Sequence, residues 1–217
     1  MLPRTAAATT TRPAIGKDAK SSATNQADLF EARVSVPEGF VYRDNLLTAM
    51  EEAALLGELE ALPFKPFEFQ GYLGKRRIAT FGWRYDFDRK ALRDSDPLPD
   101  FLLPVRAKAA IFAGLPPDEL QQVLINEYEP GAGVGWHRDR SIFQDIIGIS
   151  LASACRFRLR RAVGDGWERV SHVLQPRSAY IMRGASRSLW EHSVPGVSAL
   201  RYSITFRNVA NGPARMA

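Results

Sequence analysis

The clearest hydrophobic pattern lies in the second half of the chain, where short runs of β-type alternation are separated by Gly- and Pro-bearing turns. Val123 to Tyr128, Ile146 to Leu151, Cys155 to Leu159, Val170 to Leu174, Ser178 to Met182 and Tyr202 to Phe206 each read as a strand. From Cys155 onward the alternation sets Phe157 and Leu159 on one face and Arg156, Arg158 and Arg160 on the other. The first half carries longer periods. A helix is expected from Asp44, as its N-cap, to about Leu62, with Leu46, Leu47, Met50, Ala53 and Ala54 at helical spacing. A second is expected from Pro99 to Ala113, followed by a turn at Pro116-Pro117-Asp118. Between the helices, Phe64 to Phe69 reads as an aromatic, proline-bearing loop and Arg77 to Phe87 as one or two strands. Helices followed by many short strands predict a mainly β, α+β fold: a sandwich or jelly roll with the N-terminal helices packed on one sheet.

Residues 1–27 are rich in Ala, Thr and Ser and hold too little apolar material for a core, so they read as a disordered tail. Their acid-poor, arginine-bearing start also has the composition of a transit peptide. Residues 28–213 are expected to form one domain, and 217 residues suffice for a sizeable core.

Composition narrows the partners. No apolar run approaches the roughly 20 residues a membrane helix needs, so no membrane association is expected. Cys155 is the only cysteine, which excludes an intramolecular disulfide and fits a reducing, cytoplasmic setting. It reads as a small buried strand residue. A monomer is the expected state. The net charge of +5 favours polyanionic partners. The cations cluster at Lys75-Arg76-Arg77, at Arg138 and Arg140, and at Arg156, Arg158, Arg160 and Arg161. The last group suits a phosphate-backbone track, and a solvated outer sheet face accounts for it as well.

Candidate chemistry centres on His137-Arg138-Asp139 and the distant His192. On an extended segment, residues i and i+2 point the same way, so His137 and Asp139 can reach one ion, with His192 arriving from another strand. Two imidazoles and a carboxylate on one face of a metal, with the opposite positions open, make the donor set of non-haem Fe(II) oxygenases. A zinc hydrolase could use the same three ligands, but it would leave the next feature without a purpose. In Arg201 to Arg207, Arg201, Ser203, Thr205 and Arg207 share one strand face. Two guanidinium forks there suit an anionic ligand. A solvated edge strand with outward arginines is the other reading.

The segment from about Leu124 to Asn208 resembles the AlkB family of Fe(II)/2-oxoglutarate dioxygenases. Asn126-Glu127-Tyr128-Glu129-Pro130-Gly131 is similar to the family's N-x-Y-x-x-G strand, and His137-Arg138-Asp139 to its HxD. Ser186 to His192 resembles the segment leading to the distal histidine, and Arg201 to Arg207 the R-x5-R block ending in T-F-R. Residues 40–120 resemble the family more loosely. The resemblance implies a double-stranded β-helix. It implies Fe(II) on His137, Asp139 and His192, and 2-oxoglutarate and O2 as co-substrates. Arg201 would take the distal carboxylate of 2-oxoglutarate, Arg207 would lie near its other carboxylate and the iron, and Asn126, Tyr128 and Ser203 would line the co-substrate. Ser203 stands where many relatives carry asparagine. Ser141 stands where DNA-repair members often carry an acidic residue.

The family's reaction oxidises a C–H bond, and a methyl on a base nitrogen then leaves as formaldehyde. The resemblance implies a nucleic-acid partner and oxidative demethylation of alkylated bases in DNA or RNA. A tRNA-modifying hydroxylase and a protein-directed oxygenase are the alternatives, and Ile125 to Phe143 and Leu174 to His192 look much like the tRNA-modifying branch. A base at the metal must be flipped out or unpaired, which calls for stacking platforms. Trp83 is the first candidate and Tyr85 the second, both in the stretch where the family places its nucleotide-recognition lid, with Arg138 as a further substrate contact. Trp136 and Trp190 read as packing residues and His172 as a surface or structural histidine.

Overall fold

A computed structural model describes residues 36–69, 72–86, 91–94 and 96–209. The expected tail, residues 1–27, lies outside them. The described chain runs through twelve strands and three α-helices. In the first half these are β1 (Phe40–Arg43), α1 (Ala49–Glu60), β2 (Lys65–Phe69), β3 (Tyr72–Asp86), β4 (Ala91–Asp94) and α2 (Leu103–Ala113). Then come β5 (Gln122–Tyr128), β6 (Val134–His137), β7 (Phe143–Leu151), β8 (Cys155–Val163), β9 (Gly166–Leu174) and β10 (Ala179–Met182). The chain closes with α3 (Gly184–Ser188), β11 (Glu191–Val194) and β12 (Arg201–Val209). The major sheet has the order β1-β10-β7-β12-β5-β3-β2, with β4 paired to β3; the minor sheet has the order β6-β11-β8-β9. The fold is the double-stranded β-helix with helices on one sheet. No described helix is long and apolar enough to cross a membrane.

Strand alternation creates two cores. One face of the major sheet presents Val123, Ile125, Ile147, Ile149, Tyr202, Ile204 and Phe206 to the helices, where Leu55, Leu59, Val105, Ala109 and Ala110 cover it. The opposite face meets the minor sheet through Tyr128, Ile146 and Tyr180 on one side and Cys155, Phe157 and Leu159 on the other. Cys155 is thus a buried strand residue.

The first helix departs from its expected form. Its N-cap is Thr48, whose hydroxyl accepts from Glu51 N at 3.2 Å while Glu51 returns a carboxylate to Thr48 N at 2.8 Å. Asp44 instead accepts from the Tyr42 hydroxyl at 2.6 Å, and Asn45 turns the chain at φ 50°. Leu46 and Leu47 are buried, but ahead of the helix, and Met50, Ala53 and Ala54 face solvent. The buried stripe is Glu52, Leu55 and Leu59. Buried Glu52 is no exception to burial rules: it accepts from Ala152 N and pairs with Arg177, both at 2.9 Å, so it ties α1 to two sheet turns. Phe64 to Phe69 is also not a loop, since Lys65–Phe69 pairs with β3. Its Pro66 sits on the outermost strand of the sheet, where a missing N–H costs no ladder bond.

Gly148 illustrates how tightly the inter-sheet face is packed. A methyl group there would stand 2.3 Å from the Tyr180 ring, which lies across it in register. Gly148→Ala is expected to destabilise the protein by about 1–3 kcal/mol, because overpacking must push Tyr180 or the strand aside. Thermal or denaturant unfolding measures this, and a wild-type midpoint would show that the ring moves at no cost.

Candidate active site

The pairing of β6 with β11 builds the centre of the site. His137 and His192 are direct cross-strand partners on the minor sheet, so their rings meet with centroids 4.2 Å apart. Asp139 follows two residues beyond His137. The ligating atoms of His137, Asp139 and His192 all lie within 4.8 Å of one another, and His192 Nε2 is 3.6 Å from Asp139 Oδ2.

Each group is held in the state a metal requires. His137 Nδ1 is 2.9 Å from the Gly135 carbonyl, which can only accept, so Nδ1 carries the proton and Nε2 offers its lone pair. Burial, followed by the nearby His137, pushes the His192 imidazole down to about 3, so it stays neutral at ordinary pH. Burial alone would raise the Asp139 carboxyl, but the positive charge of Arg207, aided by the two histidines, holds it well below the usual carboxylate range. Arg207 Nη2 donates to Asp139 Oδ1 at 2.7 Å, which leaves Oδ2 turned toward His192. Phe157 stacks on the His192 ring from β8, with centroids 5.4 Å apart.

The cavity beside this triad is lined by the polar face of β12. Arg201, Ser203, Thr205 and Arg207 all point into it. The strand is central, flanked by β5 and β7, and every residue from Arg201 to Asn208 is buried. A solvated edge strand is therefore excluded. From β5, Asn126 and Tyr128 line the same cavity; Asn126 Nδ2 donates to Ser203 Oγ at 3.3 Å and the Tyr128 ring lies 5.0 Å from the Arg201 guanidinium. Arg201 is 2 % exposed, donates through Nε to Ser150 Oγ at 3.2 Å, and has no partner for Nη1 among the described residues. Arg207 Nε is likewise buried without a partner. Buried cationic donors left unpaired cost stability and call for an anionic ligand. A small dicarboxylate beside a two-histidine, one-carboxylate metal centre satisfies them, so the residues fit both Fe(II) and 2-oxoglutarate.

Arg76, which the sequence offers only as one member of a cationic cluster, belongs to the site. It lines the cavity from β3, donates through Nε to Asn126 Oδ1 at 3.1 Å, and lies 3.8 Å over the Phe67 ring. Burial lowers its pKa. Only the β3–β5 pairing, which sets Ile78 opposite Asn126, turns Arg76 inward while Arg77 remains outside with Glu127.

Among the described side chains, the substrate candidates Trp83 and Arg138 are not part of this cavity's lining. At Gly82, φ 80°, the pairing of β3 passes from β5 to β4, so Trp83 and Tyr85 belong to a hairpin off the main sheet path. Trp83 is half-buried opposite Asp94 and is not part of the cavity lining. Arg138 is exposed between the two ligands and donates to the Ser188 carbonyl at 3.2 Å. Trp190 is core, whereas the Trp136 ring meets the guanidinium groups of Arg158 and Arg160, at 4.9 and 4.4 Å. His172 packs on Tyr42 with ring centroids 4.1 Å apart.

Comparison with known proteins agrees with this geometry. The chain is 30% identical over 166 residues to the mouse (Mus musculus) tRNA (carboxymethyluridine(34)-5-O)-methyltransferase ALKBH8, covering 74% of this chain and 24% of that protein. It is 26% identical over 221 residues to the Arabidopsis thaliana Alkylated DNA repair protein ALKBH8 homolog, covering 85% and 62%. It is 27% identical over 153 residues to the Salmonella typhimurium Alpha-ketoglutarate-dependent dioxygenase AlkB, covering 60% and 68%. The chain thus spans about a quarter of the mouse relative and less than two thirds of the plant one. The solved structure of OsALKBH1 superposes with a TM-score of 0.63 at 17% identity, over 80% of this chain and 98% of that one, which shows the shared fold. A family model for the 2OG-Fe(II) oxygenase superfamily matches residues 40–207. With its facial triad in place, the chain belongs to that superfamily, as an AlkB-family dioxygenase.

Proposed function

We propose that this protein is a nucleic-acid-directed dioxygenase that hydroxylates a nucleoside of tRNA. The observation that carries the reading is the union, on one small sheet, of the triad on its inner face and an arginine-rich outer face. Arg156, Arg158 and Arg160 lie opposite the buried Phe157 and Leu159, and Arg169 is the cross-strand partner of Arg160. Such a face fits a phosphate backbone. Relatives named for tRNA support the choice of RNA, while their methyl transfer is not carried over, because the matched region is the oxygenase fold.

In this reading His137, Asp139 and His192 hold Fe(II). Arg201 takes the distal carboxylate of 2-oxoglutarate, which would satisfy its unpaired Nη1. Arg207 keeps Asp139 ionised and oriented. Asn126, held between Arg76 and Ser203, and Tyr128 complete the co-substrate wall. When bound, the iron and 2-oxoglutarate supply the oxidation: O2 decarboxylates the co-substrate to succinate and CO2 and places one oxygen on a substrate C–H. Val134, Ile146, Phe157 and Val194 supply the apolar part of the wall around the triad.

The second reading, demethylation of alkylated bases, draws support from the likeness to the bacterial AlkB and to the plant protein named for DNA repair. One experiment separates the readings. Fe(II) is reconstituted anaerobically, and O2 and 2-oxoglutarate are then supplied with tRNA or with methylated DNA and RNA oligonucleotides. Succinate, formaldehyde and nucleoside masses are scored together. Oxygen gained by a tRNA nucleoside without formaldehyde is the expected result. Formaldehyde from a methylated oligonucleotide would favour demethylation, and succinate with no nucleic-acid product would overturn both readings and point to a protein target.

A further inference from the structure

The outer face of the minor sheet carries an assembly that the triad does not use. Four side chains from three strands form a layered stack. The Arg158 guanidinium lies 4.9 Å from the Trp136 ring, Arg160 lies 4.4 Å from Trp136 and 4.0 Å from Trp167, and Trp167 ends the series. The backbone register explains it: Trp167 faces Ala162, two residues along from Arg160 and on the same strand face, and Arg160 faces Glu191 next to the ligand His192. Glu191 pairs with Arg160 at 2.7 Å and Ser193 Oγ accepts from Arg158 Nε at 3.0 Å, so the stack is fixed from below. Trp167 remains 42 % exposed, beside exposed Leu189. Trp167, Leu189, Arg160, Arg161 and Arg138 line one cleft of about 480 Å³, within the roughly 300–1,000 Å³ typical of ligand sites. Arg138 projects from between the two ligands of the HxD triplet and makes no ion pair with a carboxylate among the described residues.

Resting on the nucleic-acid reading above, we propose that this cleft holds the nucleotide next to the target, its base stacked on Trp167 and its phosphate on Arg138. An indole already in contact with a guanidinium, yet still 42 % exposed, can stack on any base, because every base has a π-face. Preordering by Arg160 and Trp136 removes the cost of immobilising Trp167 when the base arrives. Arg161, paired with Glu168 at 2.6 Å, is committed within the sheet, whereas Arg138 has its charge free for a phosphate. The site gives affinity without reading sequence and sets how the strand enters the metal centre.

The test is anisotropy of short labelled single-stranded RNA and DNA, unmodified, on the full-length protein across a salt series. Trp167→Ala is expected to weaken binding about tenfold, with little change in salt slope, and Trp167→Phe to restore most of the loss. Arg138→Gln should weaken binding and lower the slope of log Kd against log salt by about one. Native-like Kd in Trp167→Ala would overturn the proposal. Should Trp167→Ala fail to fold, the exposed Arg138→Gln decides, and an unchanged salt slope overturns it. If the native protein binds neither oligonucleotide, the nucleic-acid reading itself fails. Binding that is native in both variants rejects only the subsite.

Discussion

Asp139→Ala is expected to reduce 2-oxoglutarate turnover by more than about a hundredfold, since altering even a group that merely supports a metal ligand costs about 10–100-fold. Asp139 does two things at once. Its Oδ2 completes the triad, and its Oδ1 accepts from Arg207 at 2.7 Å. Both partners are nearly inaccessible, at 9 % and 7 % side-chain exposure. Removing the carboxylate therefore also leaves a buried guanidinium uncompensated, and breaking a buried pair in this way costs about 3–5 kcal/mol. The metal-free variant should unfold at lower denaturant concentration than the native protein, and the gap should widen when Mn(II) or Co(II) is added, because only the native protein gains binding energy. Succinate formation measured beside the unfolding curves checks both effects. Near-native turnover would refute the triad whatever the stability.

Arg201→Met should act in the opposite sense on stability. Arg201 is almost fully buried, spends Nε on Ser150 and has no partner for Nη1 among the described residues. Without a co-substrate that charge is a liability, and an apolar chain of similar length relieves its desolvation. The ligand-free variant is therefore expected to unfold at an equal or higher temperature. With 2-oxoglutarate the sign reverses. Truncating one partner of a buried charge pair costs about 2–5 kcal/mol, roughly 30- to several-thousand-fold in Kd. Metal binding, followed by the Co(II) spectrum, should be unchanged. A native 2-oxoglutarate affinity would reject the assigned role. Loss of metal binding as well would place Arg201 in the support of the triad instead.

This balance shows why the active-site strand was the most legible part of the chain. Polar residues at every second position from 201 to 207 contradict a hydrophobic core, and strand periodicity forces them onto one face. The other face, Tyr202, Ile204 and Phe206, packs under the helices. The alternation of β8 was legible for the same reason. Less legible were elements whose local signals compete. Asp44 is a good N-cap by type, but Thr48 with Glu51 satisfies two backbone donors reciprocally and sets the helix start. The Lys65–Phe69 strand carries Pro66, which speaks against a strand unless its place at the sheet edge is known.

By itself, the sequence determined the pairing of His137 with Asp139 on one strand face and the amphipathic division of β8 and β12, because each rests on residue type and a short period. Tertiary structure alone decided which face each strand turned to which neighbour. Arg76 and Arg77 are adjacent, yet the pairing of β3 with β5 buries one against Asn126 and leaves the other with Glu127. Trp136 and Trp167 lie far apart in sequence and come to share Arg160 only because β6, β11, β8 and β9 stand side by side. The reason is physical: a side chain's face follows from its own strand, but what it meets there depends on the register of strands brought together over long loops.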